Sequence, residues 1–248
     1  MPAAPDPVTA FARDGVTPLG RVLDDAQLEV ARAAFADAQV HGVTGGYARI
    51  VHDAWRRAPA LAALIPQLGA AACAAIGEPA LVLFHDHLLD KPPGGDDMAW
   101  HQDFSYLPLD RAGGVTLWVA LDDIDVANGC LYYVLGSHVH GERRAAWGLG
   151  DPDDPRAALP PIDVPAGEPG VPIAATAGTA LAHHTLLWHR SPRNDSARPR
   201  RSWALSFVVP DARWSPRHAP HPRSAVAPRH DGQDLEPDLP RVTATIQR

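Results

Sequence analysis

Apolar positions in the first third of the chain recur every three or four residues. Beyond residue 80 they come as short runs and alternations broken by Gly, Pro and Asp. Val8 to Asp14 predicts a short helix closed by Gly15, with a short strand over Val16 to Val22. After an N-cap at Asp24 or Asp25, Leu28, Ala31, Phe35 and Ala38 keep helical spacing to about Val40, and Gly42 to Gly46 ends that element. Leu61, Leu64, Ile65, Leu68 and Cys73 predict one helix over Ala60 to Ile76, with Pro59 in its first turn and Gly77 at its end. These elements form a helical buttress over about 8–77.

The pattern then changes period. Leu81 to Leu89 alternates in part, with His85 and His87 on one face. Gly114 to Leu121, Cys130 to Leu135, Gly178 to Trp188 and Ser202 to Val209 read as further strands, with Lys91 to Asp97 and Asp122 to Gly129 as loop and turn. Gly148 to Gly170, rich in Pro and Asp, reads as a long loop. Several short strands with turn signals over about 80–210 argue a mainly β sandwich or barrel with flanking helices. The Pro-rich residues 1–7 are expected to be disordered, and 211–248 is read as a closing segment or a disordered tail of one domain spanning 1–248.

Composition narrows the class. The chain is 46% hydrophobic and 21% charged, with a formal net charge of −7, which is globular and carries no nucleic-acid footprint. Its two cysteines, Cys73 and Cys130, sit in apolar surroundings and read as buried thiols. The start lacks the basic and apolar regions of a signal peptide, and no apolar run is expected to span a bilayer, so a cytoplasmic protein is expected, without a membrane partner.

The candidate chemistry lies in Trp100-His101-Gln102-Asp103 and Trp188-His189-Arg190-Ser191. On a strand, residues i and i+2 point the same way, so His101 and Asp103 can converge on one ion. His189 completes two nitrogens and one carboxylate oxygen, the facial pattern of non-haem Fe(II) oxygenases. His183 and His184 compete with His189 for that place. Eleven residues after His189 comes Arg200, within Arg198-Pro199-Arg200-Arg201, where a guanidinium can grip a carboxylate bidentately. Arg198 and Arg201 are rivals for that role, and on a strand Arg200 and Arg201 face opposite sides. A metal triad with a carboxylate clamp is the minimum needed to hold 2-oxoglutarate against iron.

With Lys91-Pro92-Pro93-Gly94, Val115 to Asp123, Asn128-Gly129-Cys130-Leu131 and Leu135-Gly136-Ser137-His138, these motifs resemble the phytanoyl-CoA dioxygenase-like family of Fe(II)/2-oxoglutarate-dependent oxygenases. The resemblance covers 81–210. It implies a double-stranded β-helix, or jelly-roll, core. It implies His101, Asp103 and His189 as Fe(II) ligands, and Arg200 on the distal carboxylate of 2-oxoglutarate with Ser191 as hydroxyl partner. Trp118, Gln102 and His87 are implied beside the cosubstrate. Phe104 and Tyr106 follow the motif and are candidates to line the substrate pocket.

The implied reaction consumes O2 and 2-oxoglutarate and oxidises a small organic molecule, with hydroxylation as the default and natural-product tailoring as the setting. Desaturation, cyclisation and epimerisation use the same triad. A zinc hydrolase and a non-catalytic jelly-roll binding protein are the rivals from other classes; the first gives Arg200 no role, and the intact triad and clamp count against the second.

Overall fold

A computed structural model describes residues 6–38, 43–44, 48–146, 155–164, 170–215, 218, 230–235 and 237–244. Helices α1 (Pro7–Asp14), α2 (Asp25–Ala38), α3 (Pro59–Ala62) and α4 (Ile65–Ile76) lie in the N-terminal part. The strands are β1 (Val16–Arg21), β2 (Val43–Thr44), β3 (Arg49–His52), β4 (Ala80–Lys91), β5 (Met98–His101), β6 (Gly114–Ala120), β7 (Leu131–Tyr133), β8 (Val171–Ile173), β9 (Thr179–His184), β10 (His189–Ser191), β11 (Arg200–Val208) and β12 (Arg241–Thr243). The start of the Pro-rich N-terminus and most of the expected long loop fall outside the described residues.

Helix ends follow their local chemistry. Gly15 and Gly77 take left-handed conformations and donate their amides to Phe11 O and Cys73 O, as C-caps do. Asp24 and Gln27 exchange side-chain and backbone hydrogen bonds in a capping box before α2. The single helix expected over Ala60 to Ile76 is two. Pro66 has no amide hydrogen for a bond to Ala62 O, so α3 stops and α4 begins with that proline in its first turn. Contrary to the sequence expectation, Pro59–Ile76 is long and apolar enough by composition to cross a membrane. Here Leu61, Ile65, Leu68 and Cys73 instead pack into the core.

All strand pairs among the described residues are antiparallel. The larger sheet runs β1-β9-β6-β11-β4-β3-β2, with β12 also on β4; the smaller runs β5-β10-β7-β8. The two form a jelly roll. One face of the larger sheet (Leu117, Val119, Trp203, Leu205) packs on the helices through Phe35, Leu61 and Leu68. The other face (Trp118, Ala120, Leu181, Ala204) packs toward Leu131, Tyr133 and Leu187 of the smaller sheet side. Burial on both faces explains why β6 reads as a continuous apolar run rather than an alternation. The C-terminal segment returns to the body: Trp214, Leu235 and Leu239 share a cluster with Phe84 and Val208, and Val242 seats against Gly69 of α4.

Strand register orders the interior face in layers, because side chains directly opposite across a ladder share a face. Arg200 and Lys91 form the first layer. Ala120, Ser202, Leu89 and Ile50 form the next, then Leu181, Trp118, Ala204, His87 and His52. His183, Thr116, Ser206 and His85 form the last.

Candidate metal and cosubstrate site

His101 and His189 are register partners on β5 and β10, with ring centroids 4.1 Å apart. Each Nδ1 lies 2.9 Å from the carbonyl oxygen two residues earlier, Ala99 O and Leu187 O. A carbonyl accepts only, so Nδ1 carries the proton and the Nε2 lone pair faces the site. Burial lowers both imidazoles' pKa, that of His189 strongly, which keeps them neutral and ligating.

Asp103 arrives differently from the sequence expectation. The strand ends at His101, and Asp103 is helical (φ −65°, ψ −40°) at the entry to a 3-10 turn over Phe104–Tyr106. That turn, held by Phe104 N–H donating to Thr185 O, brings the carboxylate back toward the imidazoles. Asp103 Oδ1 lies 3.5 Å from His189 Nε2 and 3.9 Å from His101 Nε2. Burial alone would raise this carboxyl's pKa, but the His189 imidazole and the hydrogen bond from His183 hold it well below the usual range. Two neutral nitrogens and one ionised oxygen, all within 4.8 Å of one another, fit a divalent ion that takes mixed ligands and keeps open positions. The Asp103 side chain is 22% exposed, so the set opens to an incoming ligand.

The other Asp103 oxygen is fully engaged. Oδ2 accepts from Thr116 Oγ1 at 2.6 Å and from His183 Nε2 at 3.1 Å. His183, a sequence-level rival for the ligand position, thus bonds to a ligand. Thr116 carries no sequence signal of its own; only the register of β6 and β9 places it beside His183.

Three layers away lies the candidate carboxylate pocket. Arg200 is 2% exposed, sits over the Trp118 ring at 5.7 Å, and donates from Nη2 to Ser191 Oγ at 3.4 Å. Its rivals point elsewhere: Arg201 grips Asp122 with bonds of 2.9 and 2.6 Å, and Arg198 pairs with Asp125 at 2.7 Å. Lys91, which sequence reading assigned only to a loop motif, is fully buried here. Its Nζ donates to Ser191 Oγ at 2.9 Å, to Ser191 O at 3.1 Å and to Pro192 O. Burial, with Arg200 nearby, pushes its pKa down to about 7.

Three expectations change on this geometry, those for Ser191, Gln102 and Phe104. Ser191 Oγ already donates to Gly129 O at 3.0 Å, so its hydroxyl braces the two cations instead of offering a free proton. Gln102 is spent on backbone: Nε2 donates to Gly141 O (2.9 Å) and Leu186 O (2.6 Å), and Oε1 accepts from Arg143 N (2.6 Å). It ties the segment after His140 to the site rather than touching a cosubstrate. Phe104 is buried in the cluster with Phe84 and Trp214, 4.7 Å from the His218 ring, and is packing. Tyr106 stays near the donors, its ring 6.5 Å from that of His101 and its hydroxyl accepting from Ala146 N at 2.9 Å. His87 lies on the interior face between the rings of His85 (4.2 Å) and His52 (4.5 Å).

The family model for phytanoyl-CoA dioxygenase (PhyH) matches residues 11–202. The chain belongs to the phytanoyl-CoA dioxygenase family. A phytanoyl-CoA dioxygenase domain-containing protein 1 from Bos taurus is 31% identical over 140 residues, 52% of this chain and 46% of the relative. The chain spans about half the length of the curated relatives it matches. Two solved structures share the fold over nearly the whole chain. SnoK, a non-heme alpha-ketoglutarate-dependent carbocyclase from nogalamycin biosynthesis, has a TM-score of 0.79 at 24% identity, covering 98% of this chain and 97% of SnoK. The epimerase SnoN, in complex with Fe3+, alpha-ketoglutarate and nogalamycin RO, has a TM-score of 0.80 at 24% identity, covering 94% and 96%.

Proposed function

We propose that this chain is an Fe(II)/2-oxoglutarate-dependent oxygenase that hydroxylates a small organic molecule in natural-product tailoring. One observation carries the reading: a His-Asp-His donor set and a buried Arg200–Lys91 cation pair occur on the interior of one barrel, separated by register layers. An α-keto acid that chelates a metal at one end and carries a second carboxylate at the other matches that arrangement.

Bound Fe(II) would supply activation of O2, with 2-oxoglutarate decarboxylated to succinate and CO2 as the substrate C–H becomes C–OH. One oxygen atom goes to succinate and the other to the product, so the equation balances without a further reductant. The chain's own residues bind, orient and exclude. His101, Asp103 and His189 would hold the metal, and Asp103 supplies one negative charge against it. Arg200 would take the distal carboxylate, braced by Ser191, while Trp118 walls the pocket. The apolar interior around Leu181, Ala204 and Ala120 keeps water from the chemistry.

A second reading, oxidative cyclisation or epimerisation, is favoured by the likeness to SnoK, a carbocyclase, and SnoN, an epimerase. It uses the same site. The zinc hydrolase leaves the buried cation pair without a task, and the silent binding protein leaves the His-Asp-His set without one. Product analysis after anaerobic loading with Fe(II) and 2-oxoglutarate, then O2 and a panel of small organic molecules that includes nogalamycin RO, tests the proposal. A product heavier by one oxygen atom supports hydroxylation, whereas loss of two hydrogens or an inverted centre supports the second reading.

A further inference from the structure

We infer that Thr116, His183 and Tyr133 are positioning residues that restrict Asp103 to a single-oxygen contact with a bound metal. The inference rests on the oxygenase reading for the metal and goes beyond it in assigning these three roles.

The register of β6 and β9 pairs Thr116 with His183, so both side chains enter the interior from adjacent strands at one level. Both reach the same atom, Asp103 Oδ2, at 2.6 and 3.1 Å. Oδ1 is left facing His101 and His189.

An ionised carboxylate only accepts, so Thr116 donates its hydroxyl proton and His183 donates from Nε2. On the other side of the ring, His183 Nδ1 hydrogen-bonds Tyr133 Oη at 3.1 Å. Tyr133, His183 and Asp103 thus form one chain of hydrogen bonds. Thr116, His183 and Tyr133 are all buried, so water has little access to that side of the carboxylate.

The consequence concerns open positions. A carboxylate with both oxygens free can chelate a metal through both, which removes a position that 2-oxoglutarate and O2 need. With Oδ2 committed to two donors, chelation would break two charge-assisted hydrogen bonds. The network therefore keeps the site facial and open. Outer partners of metal ligands commonly matter tenfold to a hundredfold in metal affinity.

The test uses the full chain and Co(II) as a visible-absorbing probe, without 2-oxoglutarate or turnover. Thr116→Val removes one donor at constant shape, Tyr133→Phe removes the end of the relay, and His183→Gln removes its middle. Thr116→Val and His183→Gln are expected to weaken Co(II) binding about tenfold and to change the intensity of its visible band as coordination number changes. Tyr133→Phe should shift both in the same direction by less. Thr116→Ser, which restores the hydroxyl, should return both to wild type. Wild-type affinity and an unchanged band in Thr116→Val would overturn the inference, as would a fall in melting temperature with the band unmoved. Thr116→Val decides the matter even if His183→Gln fails to fold. Absence of a Co(II) site in the wild type would overturn the oxygenase reading itself, whereas a wild-type site indifferent to these variants would overturn only this inference.

Discussion

Single residues carry the chemistry here through their hydrogen-bonding partners. His101 and His189 are ready to ligate because Ala99 O and Leu187 O take their other nitrogen's proton. Replacing either with Ala should abolish Fe(II) retention by metal analysis and, with it, turnover. At the other end of the pocket, Arg200→Ala removes a charge-assisted pair of about 1.5–3 kcal/mol, which is roughly a tenfold to hundredfold rise in the 2-oxoglutarate requirement. Arg201→Ala should leave that requirement unchanged, because Arg201 faces Asp122. Lys91 adds a pH dependence. Its pKa falls from 10.5 to about 7 through burial and then Arg200, with Asp97 and Asp96 opposing. Between pH 7 and 10.5 the unfolded chain holds this proton and the folded one does not, so stability should rise with pH across that window. A carboxylate bound beside Lys91 pulls the proton back. Affinity for 2-oxoglutarate should therefore fall as pH climbs above 7, a slope that Lys91→Met removes in calorimetric titration. The residue types of the triad and clamp could be read from the motifs, with the family resemblance choosing His189 and Arg200 among their rivals. The way Asp103 converges could not, since the strand ends at His101 and helical backbone at Asp103, rather than strand alternation, turns its carboxylate toward the imidazoles. Thr116, His183 and Lys91 acquire their roles only when distant segments meet.

At the level of elements, caps and long runs were readable and short pieces were not. Gly15, Gly77 and Asp24 marked helix ends correctly because each end has its own local chemistry. β8, β10 and β12 have three residues apiece, too few to show a period, and they exist through their neighbours in the ladder. β6 begins at a position where only glycine fits: Gly114 has φ +146°, and a Cβ there would meet Phe207 O of β11 at 2.2 Å. Gly114→Ala should cost on the order of 2–4 kcal/mol by combining backbone strain with overpacking, read as a lowered midpoint in urea. Asp86 on β4 offers a second handle. Burial raises its carboxyl's pKa to about 7, although Trp203 Nε1 donates to it at 2.7 Å. The folded state then holds a proton that the unfolded chain releases near 3.8, so this group should lower stability as pH rises from about 4 to 7.

Seen whole, the molecule buries both faces of its larger sheet, one under helices and one around the site, and the C-terminal segment closes the end near Phe84 and Trp214. The jelly-roll expectation came from motif resemblance, since alternation alone left sandwich and barrel open. Substrate was not legible because the same fold, in SnoK and SnoN, accompanies ring formation and epimerisation. The site does constrain the outcome in one respect. On the proposed site Asp103 would fill a metal position with a carboxylate rather than leave it to a halide, so excess chloride or bromide should leave the product unhalogenated by mass spectrometry. The most direct measurement precedes any knowledge of substrate. Purify the chain without oxygen, add Fe(II) and 2-oxoglutarate, admit O2, and quantify succinate. Succinate should form in the wild type, only with all three components, and should disappear in His189→Ala. No succinate from the metal-loaded wild type, or equal succinate from His189→Ala, would contradict the assignment of this barrel as an Fe(II)/2-oxoglutarate oxygenase.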